Sequence, residues 1–155
     1  MAIVRLDKIT GNHLSNGRNE EDVMLNGYFV ALRGLIAGQR ETYAITAPAD
    51  VLATEVLLHA SPEVMYDPRQ SALEDFYVEI GEECRLYHLT VGDVITLTED
   101  LFLEAPDVGD IVSPQVDEYK LGAVVEGARL QFEVIEATTL GYNNQPAYAL
   151  RVISA

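Results

Sequence analysis

Arg129-Leu130-Gln131-Phe132-Glu133-Val134-Ile135-Glu136 alternates without a break: Leu130, Phe132, Val134 and Glu136 on one side, Arg129, Gln131, Glu133 and Ile135 on the other. A period of two residues is the signature of a strand with one buried face. Turn formers follow it, Gly141-Tyr142-Asn143-Asn144-Gln145-Pro146, and then Tyr148-Ala149-Leu150-Arg151-Val152-Ile153 returns. This reads as a hairpin closing a sheet, with 129–136 antiparallel to 147–153. Working back along the chain, Val94-Ile95-Thr96-Leu97-Thr98 is rich in β-branched residues. Val91-Gly92-Asp93 leads into it, and Val108-Gly109-Asp110 leads in the same way into Ile111-Val112. Two copies are too few for a repeat, and they read as one turn type used twice.

Further strands are predicted at Ile3–Ile9, Tyr28–Leu32 after the Asn26-Gly27 turn, Glu41–Thr46, Glu55–Ala60 and Glu83–Leu89. Gly and Asn fill residues 11–19, which read as turn chemistry forming an exposed loop or arm. Pro62 through Pro68 reads as an irregular loop, and 71–78 is the best helix candidate, stopped by Gly81. No stretch longer than about a dozen residues holds a helical period. The expected fold is mainly β, a small barrel or sandwich-like domain. It has one or two short helices and possibly two β lobes.

The chain has 155 residues, 48% hydrophobic and 23% charged, a globular composition. Asp and Glu number 25 against 10 Lys and Arg, a net charge of −15. Nucleic acid and anionic membranes both repel such a surface, so neither is an expected partner. No run approaches the ~18 apolar residues of a membrane span. The first residues lack a basic end followed by a long apolar region, and the lone Cys84 forms no internal disulfide, so synthesis and folding in a cytosol are expected.

The charge is uneven. Residues 1–50 hold five basic groups and six acids, a net of −1, whereas 51–155 hold five and 19, a net of −14. Composition therefore suggests a near-neutral N-terminal lobe or arm over 1–50 and an acidic β body over 51–155. Lysine occurs only at Lys8 and Lys120, while arginine occurs eight times. Arginine tolerates desolvation and pairs bidentately with carboxylates, which suits an interface. The candidate partner-binding residues are accordingly Arg5, Lys8, Arg18, Arg33 and Arg40.

Chemistry finds little foothold. Cys84 and His88 share a face in helix or strand, but Glu82 and Glu83 oppose a thiolate, so a buried, inert thiol is expected. His59 and Ser61 lack nucleophile-elbow spacing, and His13 lies in a polar loop. Glu20-Glu21-Asp22 and Glu99-Asp100 lack the ligand spacing of a calcium loop and read as solvated turns. Paired cysteines for zinc and a phosphate-cradling Gly-Lys-Ser/Thr are absent. No catalytic, cofactor-binding or metal-binding residue is assigned, and an enzyme is not expected.

Several short segments together carry a resemblance. They are Asn26-Gly27-Tyr28-Phe29-Val30, Thr46-Ala47-Pro48, Ser61-Pro62-Glu63-Val64-Met65-Tyr66-Asp67, Leu73-Glu74-Asp75-Phe76-Tyr77, Arg85-Leu86-Tyr87-His88-Leu89, Gly92-Asp93-Val94, Phe132-Glu133-Val134-Ile135-Glu136 and Leu140-Gly141. In this order the chain resembles small structural proteins of tailed bacteriophages of Gram-positive hosts, typically encoded beside the major capsid protein. The resemblance implies a virion component, most directly a head decoration (cement) protein on the outer capsid surface. Its partner would be the major capsid protein, and it could assemble as a homo-oligomer. A tail or head–tail connector component is the alternative within virions, and a small acidic ligand-binding or enzymatic β domain the alternative outside them. The family supplies no active-site motif, so no residue acquires a role from it.

Overall fold

The terminal hairpin forms where the alternation places it. In the structure, a computed structural model describing residues 4–9, 14–38, 40–61, 77–140 and 144–155, β10 (Gln131–Leu140) pairs antiparallel with β11 (Gln145–Ser154). Phe132 faces Val152 and Val134 faces Leu150, all four buried. Beyond Val134 a register shift ends the strict alternation, and Ile135 and Glu136 are both exposed.

β7 (Val94–Thr98) flanks β11, and β8 (Ile111–Pro114) flanks β10. Here the recurring Val-Gly-Asp acquires its reason. Asp93 N–H bonds the Thr90 carbonyl and Asp110 N–H bonds the Asp107 carbonyl, each closing a four-residue turn. The third residues, Gly92 and Gly109, take φ of 95° and 94°, the left-handed conformation this turn demands there. Each Asp carboxylate also accepts the N–H of the turn's first residue at 2.9 Å. Each turn then bonds the hairpin: Gly92 N–H and Asp93 C=O to Val152, Gly109 N–H and Asp110 C=O to Val134. One device thus fixes both flanking strands. β1 (Val4–Lys8) against β7 and β9 (Leu121–Ala123) against β8 complete a six-stranded antiparallel sheet, ordered β1-β7-β11-β10-β8-β9.

The other strands, β2 (Leu14–Arg18), β3 (Phe29–Leu35), β4 (Thr42–Thr46), β5 (Val56–His59) and β6 (Glu83–Tyr87), close a five-stranded barrel in the order β2-β4-β3-β5-β6. All pairings are antiparallel except β2 with β4. Within the described residues the only helical element among the named ones is a 3₁₀ turn, Glu99–Leu101. The loop expected at 62–68 and residues 71–76 of the expected helix lie outside the described residues. Tyr77 and Val78 are not helical, and Val78 forms a bridge with Met24.

Residues 14–18 correct the reading of 11–19 as an exposed arm. They form β2, bonded to both β4 and β6. Gly17 is a contact residue and not a turn residue. A Cβ there would lie 2.6 Å from Ile45 Cγ2 and 2.8 Å from Leu86 Cδ1. The sheets also divide the chain differently from the charge. β1 belongs with β7–β11, while β5 and β6, both beyond residue 50, complete the barrel.

β3 and β5 explain how barrel and sheet become one body. Val30 and Leu57 point into the barrel cluster with Ile45, Cys84 and Leu86. Their neighbours Phe29, Val56 and Leu58 point the other way, into a cluster with Ile95, Leu97, Leu121, Phe132 and Leu150 of the sheet. Successive strand residues face opposite sides, so a strand buried on both is apolar throughout. Phe29 and Phe132 meet edge-to-face at 5.6 Å, and Tyr28 stacks on Tyr119 at 5.0 Å.

Gly17→Ala should therefore lose about 1–3 kcal/mol of stability, the usual cost of forcing atoms into a packed core. Gly34→Ala, where an added Cβ meets nothing within 4 Å, should change stability by less than about 0.5 kcal/mol or raise it. Urea denaturation of both variants checks the contrast, and equal losses would contradict the packing at Gly17.

Candidate functional site

The five basic residues of the first third fall into two groups. Arg5 and Lys8 lie exposed on β1, at the edge of the six-stranded sheet, with Arg5 paired to Asp7 at 3.0 Å. Arg18, Arg33 and Arg40 belong to the barrel. Arg18 is half-buried, 3.6 Å from Glu83, and its Nε has no hydrogen-bond partner. Arg33 sits at the register shift in β3, and Arg40 lies in the connection to β4. Both are exposed, and Leu35 between them is 52% exposed. Along the β3–β4 hairpin an uncovered leucine thus lies between two exposed arginines in the sequence, with exposed Glu41 next to Arg40.

The histidines are built into networks. His59, on β5, is fully buried. Its Nδ1–H donates to the Leu25 carbonyl at 2.8 Å, which leaves Nε2 to accept the Ser61 hydroxyl at 2.8 Å. Ser61 Oγ in turn accepts Arg85 N–H. Asn26 bonds both Ser61 N–H and Ser61 C=O through its side-chain amide. His59 and Ser61 are brought together, as a structural knot holding the Asn26-Gly27 turn against the end of β5. Burial lowers the His59 pKa to about 4.

Cys84 and His88 are not brought together functionally. Cys84 is buried in β6, as expected, with Sγ directed to the Glu82 carbonyl at 3.8 Å. Burial, reinforced by the Glu82 charge, pushes its thiol up to about 12. His88 instead bonds Ser15 Oγ through Nε2 at 2.7 Å and Glu55 Oε1 through Nδ1 at 2.8 Å. Hydroxyl, imidazole and carboxylate stand in the order of a nucleophilic triad. No motif signals this trio, because its members lie in three distant segments that meet only where β6 closes the barrel onto β2. The surface grooves beside Lys120 and beside β8 and β9 are lined by neither Ser15 nor His88. His13 lies outside the described residues.

The acidic turns have structural work. Asn19 Oδ1 accepts the N–H groups of Glu21 and Asp22, and Asp22 accepts the Tyr119 hydroxyl at 2.8 Å. Glu99 and Asp100 open the 3₁₀ turn. Among the described residues no group of three or more His, Cys, Asp or Glu is placed to hold a metal ion. No helix there is long and apolar enough to cross a membrane.

Two grooves adjoin at Ala105, one beside Lys120 and the start of β11, the other beside β8 and β9. One, about 470 Å³, is lined by Glu99, Asp100, Phe102, Leu103 and Lys120 among others. The next, about 480 Å³, runs between Glu104–Pro106, Gly109–Val112 and Gly122–Val124. Ala105 lines both. Comparison of the chain with protein families, curated proteins and solved structures finds no match.

The His59 knot carries a pH dependence. Its folded pKa of about 4 lies below the ordinary 6.5, so the unfolded chain takes up the proton first. Stability from this group is complete above about pH 6.5 and is lost as pH falls toward 4, on the order of 3 kcal/mol in all. Urea denaturation across this range, compared with His59→Gln, should show the wild type losing more stability on acidification. Parallel curves would overturn the assignment.

Proposed function

We propose that this chain is a structural protein of a bacteriophage virion, a decoration subunit bound to the major capsid protein on the outer surface of the head. The observation that carries the reading is the β3–β4 hairpin, where Arg33 and Arg40 bracket the exposed Leu35 on a barrel otherwise rich in surface acid. An apolar anchor flanked by arginines matches the composition of interface cores, where acids are depleted. A two-sheet β body of this kind gives such a face a rigid support, and the scattered resemblance to phage structural proteins agrees with it. Virion surface is the corresponding location.

Purified protein mixed with heads lacking it should co-sediment with them. Arg33→Glu and Arg40→Glu should each weaken this at least tenfold, and Arg129→Glu should leave it unchanged. Failure to co-sediment would overturn the reading. Cryo-electron microscopy density on the tail or connector would shift it to those alternatives.

The Ser15–His88–Glu55 trio is the one observation favouring an enzymatic reading. A fluorophosphonate probe attacks serines activated by a bonded imidazole. We expect Ser15 to remain unlabelled, the trio serving as a clamp on the barrel seam. Labelling that His88→Ala abolishes would instead establish the enzymatic reading.

A further inference from the structure

Strand edges carry unpaired N–H and C=O groups and serve as templates for another strand, so proteins blunt them with charges, proline, bulges or covering segments. Two edges here are blunted in these ways. β1 carries exposed Arg5, Asp7 and Lys8 along its free edge. At β9, Leu103 N–H takes the Leu121 carbonyl and Gln115 Nε2 takes that of Ala123. The outer half of the terminal hairpin is different. β10 runs to Leu140, but β8 pairs with it only at Phe132 and Glu133, and the turn before β8 bonds it last at Val134. Beyond Val134 no strand among the described residues lies on that side of β10.

The ladder sets which main-chain groups are left over. Val152 bonds Gly92 and Asp93, on the β7 side of β11. Successive residues turn their main-chain groups to opposite sides, so Leu150 and Tyr148 also serve β7, while Ala149 and Ala147 serve β10. The residues they meet there are Glu136 and Thr138. Ala137 and Thr139 therefore direct their N–H and C=O outward. Thr139 stands opposite Pro146, which has no N–H to offer. Residues 135–139 are all exposed. The side chains of Glu136, Thr138 and Thr139 make no hydrogen bond or ion pair among the described residues. Glu136 is the one charge in Ile135-Glu136-Ala137-Thr138-Thr139-Leu140, which holds no proline and is rich in β-branched residues.

We infer that this edge pairs with the same edge of a second copy of the chain across a two-fold axis, joining two six-stranded sheets into one. A two-fold axis pairs a strand with itself in the antiparallel sense, so the patch must be its own complement. This one is. Ile135 is the extra residue of the register shift, which leaves Glu136–Leu140 as the regular stretch, with Thr138 at its midpoint. An axis at Thr138 pairs both outward residues within that stretch: Ala137 exchanges main-chain bonds with Thr139 of the second copy, and Thr139 with Ala137. Thr138 then faces Thr138, a favourable cross-strand pair, and each Glu136 faces Leu140 instead of the other Glu136. An axis at Glu136 would set the two carboxylates directly opposite. The net charge of −15 on each copy opposes the approach, so salt strengthens this contact, whereas it would weaken the attachment of a cationic foreign strand. The inference stands apart from the capsid reading and uses no residue of the β3–β4 hairpin.

A contact this short lies at the small end of interfaces, so sedimentation equilibrium of the full chain should run from ~10 μM to ~1 mM. The 17.1 kDa monomer should pass to a dimer and no further, and more readily as salt rises. Thr138→Glu and Thr138→Lys, at an exposed position, should each weaken association at least tenfold with the far-ultraviolet spectrum unchanged. An equimolar mixture of the two should recover the dimer as a mixed pair. On oxidation, Thr138→Cys should cross-link to itself at least tenfold faster than Glu136→Cys, because only residue 138 faces its own counterpart; Cys84 is buried. A wild type still monomeric at the highest concentration, growth past the dimer, or dimerisation weakened by salt would each overturn the inference. So would a mixture of Thr138→Glu and Thr138→Lys chains that associates no better than either alone, or equal cross-linking at 136 and 138.

Discussion

The edge-to-face contact of Phe29 with Phe132 joins two sheets that share no strand pairing. Apolar burial unites them through β3 and β5, whose alternate side chains serve two cores, and backbone bonds from Phe29, Asp117 and Arg129 to Tyr119, Pro48 and Val51 add to it. Any change that turned one of these strands by a single residue would exchange the contents of both clusters. Polar contacts reinforce the same junction. Tyr119 stacks on Tyr28 while its hydroxyl engages Asn19 and Asp22, so the segment before β9 is tied to the barrel.

Local pattern shows through wherever one face is buried and the other wet. β1 and the first half of β10 meet that condition, whereas β7 is buried on both faces and shows itself by its β-branched residues. The paired Val-Gly-Asp turns are visible because left-handed backbone selects glycine whatever lies around it. Pattern fails at β2. There Ser15, Asn16 and Gly17 look like a turn, because glycine chosen for close approach to Ile45 and Leu86 is indistinguishable in sequence from glycine chosen for its dihedral freedom. β9 is three residues long and shows no period at all. The allocation of strands to barrel or sheet was also beyond local reading, since β1 lies with strands that follow it by some ninety residues.

Among the functional candidates, the inertness of Cys84 was visible because its neighbours Glu82 and Glu83 oppose a thiolate. The five basic residues of the first third divide between the edge of one sheet and the barrel, a division that depends on pairing and so was hidden. His88 shows the limit most sharply. Ser15 and Glu55 lie 73 and 33 positions away from it, and only barrel closure makes them neighbours. Sequence spacing suggested Cys84 instead, four residues distant and on the same strand side, where no bond forms.

The pairing of β1 with β7 has a consequence for biogenesis. During synthesis this strand leaves the ribosome with no partner, and Val94–Thr98 follow only after roughly 85 further residues, about 4–17 s at ~5–20 residues per second. The barrel is in the same position until β6 has emerged to meet both β2 and β5. For that interval the nascent chain displays Val4, Leu6, Phe29 and Val30 without the surfaces that cover them in the native state. Asp7 and Lys8 beside Val4 and Leu6, and Glu20, Glu21 and Asp22 ahead of Phe29, flank these apolar runs as charged gatekeepers that disfavour pairing between nascent chains before there is a fold to protect.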